Sequence, residues 1–86
     1  MDGGVYLLHI EPPWRHCKHY LGWSPDIANR YVVHCSGRGA RLTGQAIEAG
    51  SKLILARTWP GATPDDERRM KGRGLTPLCP ICTPEE

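Results

Sequence analysis

The stretch of residues 20–34, YLGWSPDIANRYVVH, constrains the fold most, because its pattern changes from a strand to a helix within a few positions. The tripeptide Tyr20-Leu21-Gly22 closes an apolar run. Ser24-Pro25-Asp26 then supplies the chemistry of a helix start, with Ser24 as the predicted N-cap and proline at the first helical position. The sequence therefore predicts a strand that ends near residue 23 and is followed at once by a helix.

The predicted helix places a cation and an imidazole side by side. Ile27 and Tyr31 lie one turn apart and define its apolar face. Arg30 and His34 are also one turn apart, at about 40° to each other, on the edge of that face. A permanent positive charge and a titratable ring are thus expected beside a buried stripe, close to the strand end at Tyr20.

Two tripeptides and the residues that follow them resemble the GIY-YIG endonuclease superfamily. The tripeptides are Gly4-Val5-Tyr6 and Tyr20-Leu21-Gly22. The pattern continues at matching separations through Ser24, Asp26, Ile27, Arg30, His34, the turn Gly37-Arg38-Gly39, Thr43, a strand over 53–59, and a helix with Glu67, Met70 and Lys71. The resemblance covers residues 4–72, and an ordered set of this kind is far more specific than a single tripeptide.

The resemblance implies a divalent-metal-dependent endonuclease that hydrolyses phosphodiester bonds in nucleic acid, with DNA favoured over RNA. Its catalytic residues here would be Tyr6, Tyr20, Arg30, His34 and Glu67. Glu67 would be the main protein ligand of Mg²⁺ or Mn²⁺, which prefer oxygen donors. Tyr6 would take the proton of the attacking water, with Tyr20 and His34 orienting water and phosphate. Arg30 offers a fixed, charged fork for phosphate oxygens.

The middle of the chain is basic. Residues 12–64 hold seven lysines and arginines against two acidic residues, although the whole chain carries a net charge of only +2. Such a segment suits a phosphate backbone. The side chains predicted to contact phosphate are Arg15, Lys18, Arg38, Arg41 and Lys71.

The remaining segments predict an α+β domain. Residues 5–10 read as a strand buried on both faces and stopped by Glu11-Pro12-Pro13, with a loop longer than a tight turn before the next strand. Thr43 is the predicted N-cap of a short helix, and Thr63-Pro64 begins another. The result is one domain over 1–86, with a small three-stranded, mainly antiparallel sheet flanked by helices, and an irregular tail from about residue 75.

A cysteine pair in the tail suggests a different kind of site. Cys79 and Cys82 have the C-x-x-C spacing of a zinc knuckle. A structural Zn²⁺ site needs two more ligands, for which Cys17, Cys35, His16 and His19 are the candidates. Buried, reduced cysteines are the alternative interpretation, and the sequence favours it over zinc.

Other classes of protein fit less well. No apolar run approaches the ~18 residues of a membrane-spanning helix, and the N-terminus lacks a secretory signal, which predicts a cytoplasmic protein without a membrane partner. A partner protein or an oligomer is left open as the source of target specificity. The alternative function is a catalytically inactive nucleic-acid-binding or zinc-knuckle interaction module.

Overall fold

Three antiparallel strands form one sheet in the order β2-β1-β3, and helices cover both of its faces. The computed structural model describes residues 3–83, so the ends of the predicted domain at 1–2 and 84–86 lie outside the described residues. The strands are β1 Gly4–Trp14, β2 Cys17–Ser24 and β3 Lys52–Pro60, and the helices are α1 Ile27–Cys35, α2 Arg41–Glu48 and α3 Pro64–Lys71. The predicted α+β fold is confirmed.

The central strand β1 runs further than predicted. Instead of stopping at Glu11-Pro12-Pro13 it continues to Trp14. Glu11 still pairs with Lys52 of β3, whereas the register with β2 is irregular between His9 and Trp14. Prolines lack an N–H group and are tolerated at such irregular, exposed positions, so they shift the pairing here without ending the strand.

The connection between β1 and β2 is also shorter than predicted. Trp14 pairs directly with Cys17, and only Arg15 and His16 form the turn. Arg15 has a φ of 57°, in the left-handed region that tight hairpin turns require. The predicted long loop is wrong because residues 11–14 belong to the strand.

The starts of two helices differ from the prediction by a few residues. Asp26, not Ser24, caps α1 by accepting a hydrogen bond from the backbone of Asn29 at 3.1 Å, and the Ser24 hydroxyl braces the Asp26 backbone. In α2 the N-cap is Ala40, and Thr43 lies inside the first turn. In α1 either Ser24 or Asp26 could serve as the cap, and the helix uses the later residue. In α2 the side chain of Ala40 cannot cap, and the Thr43 hydroxyl instead accepts from the backbone N–H of Ala40 at 3.2 Å.

The start of α3 is as predicted. Thr63 caps the helix by accepting from the backbone of Asp66 at 3.2 Å, Pro64 is its first residue, and the Asp66 carboxylate accepts from the Thr63 backbone at 2.9 Å. None of the helices within residues 3–83 is long and apolar enough to cross a membrane.

Side chains alternate along β1 between two cores. The front face of the sheet carries Tyr6, Leu8 and Ile10 against α1 and α2. The back face carries Val5 and Leu7 against β2, α3 and the C-terminal segment. Because β1 is buried on both faces over Gly4–Ile10, every one of its side chains there has a packing role.

We expect Gly22→Ala to destabilise the protein by about 1–3 kcal/mol, through overpacking. Gly22 pairs with Tyr6 across the sheet, and an added Cβ would lie 2.5 Å from the phenol oxygen. The Tyr6 ring is buried and cannot move aside freely. Urea unfolding measures the change in the free energy of unfolding.

Gly72→Ala is the matched control for this substitution. Gly72 has a φ of −70°, and an added Cβ would make only an ordinary contact of 3.6 Å with the carbonyl of Arg69. Its free energy of unfolding should change by less than about 0.5 kcal/mol. Equal stability of the two variants would contradict the assigned packing of Tyr6 on Gly22.

Candidate active site

A buried chain of hydrogen bonds joins three elements on the front face. The phenol oxygen of Tyr6, on β1, lies 2.7 Å from Nε2 of His34, on α1. Nδ1 of the same ring lies 2.8 Å from the hydroxyl of Thr43, on α2. Tyr6 is 1% exposed and the other two residues are fully buried, so this Tyr6–His34–Thr43 chain is shielded from solvent.

The directions of these hydrogen bonds follow from the available acceptors. The Thr43 hydroxyl donates to the carbonyl of Ala40 at 3.2 Å and accepts from the backbone N–H of the same residue. It therefore accepts the proton on Nδ1 of His34, which leaves Nε2 to accept the Tyr6 hydroxyl. This tautomer gives every proton of the chain an acceptor among the described residues, as buried polar groups require.

The pKa values of His34 and Tyr6 favour the neutral form of both side chains. Burial, and then the positive charge of Arg30, lower the pKa of His34 from its ordinary 6.5. Burial raises the pKa of Tyr6 from its ordinary 10.0, although a hydrogen bond from Arg30 opposes this shift. Both groups are thus held uncharged at rest, with an acceptor nitrogen directed at the phenol.

Tyr20 completes an aromatic cluster around this chain. Its ring centroid lies 6.4 Å from that of Tyr6 and 5.1 Å from that of His34. Tyr6 and Tyr20 therefore lie on the same face of the sheet. Gly39 is needed for close packing at the other side of His34, because an added Cβ there would overlap the imidazole ring.

Arg30 lies at the edge of this cluster. Its Nη2 donates to the carbonyl of Gly39 at 3.0 Å, which fixes the guanidinium against the connection between α1 and α2. The same side chain acts on the pKa of Tyr6 and of His34, so its charge lies close to both. The predicted pairing of Arg30 with His34 on one edge of the helix is consistent with this placement.

Glu67 approaches the site from α3. Its negative charge contributes to the raised pKa of Tyr6, after the effects of burial and Tyr20. One carboxylate oxygen lies 2.8 Å from the Lys71 ammonium, and the side chain is 18% exposed. Within residues 3–83, Glu67 belongs to no group of three or more metal-ligating side chains. A lone carboxylate suits Mg²⁺, which commonly keeps several waters and binds substrate phosphate.

The predicted phosphate-binding residues do not all lie near this cluster. Arg38 and Arg41 are exposed on either side of Gly39, beside Arg30. Arg15 lies in the hairpin turn at the far end of β1 from Tyr6, and its guanidinium covers the ring of Trp14 at 4.7 Å. Lys18 is exposed on β2 near His19. Arg38 and Arg41 therefore lie beside the cluster, whereas Arg15 lies at the opposite end of β1, and the phosphate contacts of all these residues stay predictions.

A second group of side chains lies on the back face of the sheet. The potential ligand atoms of His9, His19, Cys79 and Cys82 all lie within 4.8 Å of one another, so this cluster can bind a metal ion. Of the four residues that the sequence offers as partners for Cys79 and Cys82, only His19 belongs to this cluster. Cys17 packs in the front core, Cys35 is exposed on α1, and His16 is in the hairpin turn.

His9 is the member of this cluster that the sequence pattern does not predict. It pairs with His19 across the hairpin, and its odd position on β1 directs it to the face opposite Tyr6. The strand register would have identified it, but the irregularity after His9 makes that register unreadable from sequence. The contact of Thr43 with His34 was not predicted either, because the sequence pattern assigns Thr43 to a helix cap.

No protein-family model, curated protein or solved structure matches the chain. The likeness to GIY-YIG endonucleases therefore depends on the motif residues themselves.

The lowered pKa of His34 predicts that stability falls as the pH decreases below about 6.5. Between the folded-state pKa of His34 and a pH of about 6.5, this histidine is protonated in the unfolded chain but not in the native chain. The free energy of unfolding therefore rises with pH in this window, by at most about 1.4 kcal/mol per pH unit for one group.

His34→Gln isolates this effect, because His19, whose pKa is also lowered, is retained in both proteins. Urea unfolding of wild type and variant from about pH 5 to about pH 8 provides the measurement. The free energy of unfolding of His34→Gln should depend less on pH than that of wild type. Identical slopes would mean that His34 is not held neutral by its surroundings.

Proposed function

We propose that this chain is a divalent-metal-dependent endonuclease that hydrolyses phosphodiester bonds in nucleic acid, DNA in preference to RNA. The observation that supports this most strongly is the convergence of Tyr6, Tyr20, Arg30 and His34 around one buried hydrogen bond, with Glu67 close enough to affect Tyr6. The first four residues come from β1, β2 and α1, so their meeting is a property of the fold and not of sequence proximity.

The Tyr6–His34 hydrogen bond suits activation of water. A phenol alone is a poor base at neutral pH, and burial makes Tyr6 harder still to ionise. With Nε2 of His34 accepting its hydrogen bond, Tyr6 can take a proton from water while passing its own proton to the imidazole. The hydroxide then attacks phosphorus, the bond to the leaving oxygen breaks, and that oxygen takes up a proton from solvent water. Tyr6 remains neutral throughout, and the imidazolium carries the proton.

Arg30 and Glu67 suit the charge that develops on phosphate. The Arg30 guanidinium is held by Gly39 and can pair with the non-bridging oxygens as they gain negative charge. Glu67 would hold a divalent cation, which supplies Lewis-acid stabilisation to phosphate oxygens when bound. Lys71, whose ammonium lies 2.8 Å from that carboxylate, would then be free to contact phosphate. Because Tyr6 is buried, access to its oxygen depends on the half-buried Tyr20 and Arg30.

We expect Glu67→Gln to lower the single-turnover cleavage rate by on the order of 10²-fold or more. Glutamine keeps the shape of the side chain but removes the charge that a divalent cation requires. The fold should persist, because the Glu67–Lys71 ion pair contributes only about 0.5 kcal/mol. The assay uses labelled duplex, flap, junction and single-stranded substrates with Mg²⁺, and circular dichroism checks the fold.

Glu48→Gln is the control, since Glu48 is exposed at the end of α2 and should be dispensable. Full cleavage by Glu67→Gln, or cleavage that survives EDTA, would exclude Glu67 as a metal ligand. Salt-dependent binding by wild type without cleavage of any substrate would identify an inactive nucleic-acid-binding module instead.

We expect Arg30→Lys to lower kcat by about 10²- to 10³-fold while KM changes little. Lysine keeps the positive charge and the helix but loses the planar fork and its hydrogen bond to Gly39. Arg73→Lys is the control, because Arg73 is exposed just beyond α3. Wild-type rates for folded Arg30→Lys would show that Arg30 acts only as surface charge.

A further inference from the structure

Four side chains from three separate segments meet behind the sheet. Sγ of Cys79 lies 3.6 Å from Nδ1 of His9. Sγ of Cys82 lies 3.5 Å from the same nitrogen and 3.4 Å from Nε2 of His19. One nitrogen or sulfur atom of each residue therefore faces a common centre.

These separations are those of a tetrahedral metal site. With metal–sulfur bonds of about 2.3 Å and metal–nitrogen bonds of about 2.0–2.1 Å at tetrahedral angles, sulfur and nitrogen ligands lie about 3.6 Å apart. The sulfur–nitrogen distances, 3.4 to 3.6 Å, match this value closely. A thiol–imidazole hydrogen bond also has this spacing, but here four ligand atoms from three segments all lie within 4.8 Å of one another.

The donor atoms select the class of metal. Two thiolates and two imidazoles are the ligands of structural Zn²⁺ sites, whereas Mg²⁺ and Ca²⁺ require oxygen. His9 also has the outer partner that such ligands usually have. Its Nε2 lies 2.7 Å from a carboxylate oxygen of Glu11, so the ring can donate its N–H there and present Nδ1 to a metal.

We propose that His9, His19, Cys79 and Cys82 bind one structural Zn²⁺ ion that fastens the C-terminal segment to the β1–β2 hairpin. Four protein ligands fill the tetrahedral shell and leave no position for water or substrate, so this ion has no catalytic role. It is distinct from the divalent cation at Glu67, and the proposal stands independently of the endonuclease function.

The C-terminal segment has the local structure that a zinc knuckle needs. The carbonyl of Cys79 accepts from the backbone of Thr83 at 2.8 Å, which closes a turn over Pro80 and Ile81 and brings the two sulfurs to one side. Cys79 is fully buried against Val5, Leu7 and Leu21, and Leu75 and Leu78 pack beside it. Within residues 75–83 the other regular element is one short 3₁₀ helix, Thr76–Leu78, so a bound metal would add order that secondary structure does not supply there.

The ion would also cross-link the two strands that carry the tyrosines. His9 pairs directly with His19, and the adjoining pair is Leu8 with Tyr20. Two of the four ligands therefore fix the register of β1 and β2 one position away from the candidate active site. Small domains with little core commonly depend on such a metal for stability.

Metal analysis of the purified full-length chain tests the proposal. Wild type purified with zinc and then dialysed should retain about one zinc per chain by mass spectrometry, and Cys82→Ser should retain less than about a tenth of that amount. Cys82 is exposed, so its replacement leaves the core intact. Cys35→Ser is the matched control, because Cys35 is exposed on α1 outside the cluster, and it should bind zinc like wild type.

Cobalt substitution gives a second readout that does not depend on nuclease activity. Wild type and Cys35→Ser should show the intense visible absorption of tetrahedral thiolate-bound Co²⁺, whereas Cys82→Ser should not. Zinc should also raise the Tm of wild type and of Cys35→Ser, but not that of Cys82→Ser. The proposal would be overturned if wild type bound neither zinc nor cobalt, or if it formed a Cys79–Cys82 disulfide instead. Metal binding by Cys82→Ser equal to that of wild type would also overturn it.

Discussion

The pleat of β1 is the constraint on which the rest of this small protein depends. β1 lies between β2 and β3 and is covered on both faces of the sheet. Its successive side chains must point to opposite faces. Tyr6 is thereby directed to the front and His9 to the back. At about 3.3 Å per residue the two are separated by only about 10 Å along the strand. The candidate active site and the His/Cys cluster are thus two sides of one structural element.

The front site also shows why a buried histidine is tolerated in so small a core. An imidazole without partners would cost several kcal/mol on burial, but both nitrogens of His34 have them. The Thr43 hydroxyl is in turn satisfied by the backbone of Ala40, so the polar chain ends on α2 and not in an apolar pocket. The hydrogen bonds that align the site are therefore also those that join α1, α2 and the sheet.

The sequence was most informative where a local rule had no competitor. Thr63 and Pro64 begin α3 as predicted, because no other cap is nearby. Local rules failed where two residues could serve. Asp26 displaced Ser24 as the cap of α1, and Thr43 was drawn inside α2, where it meets His34. Propensity does not include such tertiary contacts.

The candidate site could be predicted in part for a related reason. The motif residues Tyr6, Tyr20, Arg30 and His34 are those that the family resemblance implies, and the sheet places the two tyrosines on one face. The position of His9 in the His/Cys cluster depends on strand register, which the sequence pattern does not supply.

The irregular stretch between His9 and Trp14 has a consequence for how the hairpin can vary. In a regular hairpin, a change of one residue in the turn slides one strand past the other and reverses the face of every side chain beyond it. Here the ordered pairs from Gly4–Ser24 to His9–His19 are separated from the Trp14–Cys17 turn by a bulge that already absorbs a mismatch in length. A change of length confined to the exposed turn at Arg15 and His16 can therefore be accommodated before it reaches the ordered pairs, which makes the hairpin tip the part of the sheet freest to diverge.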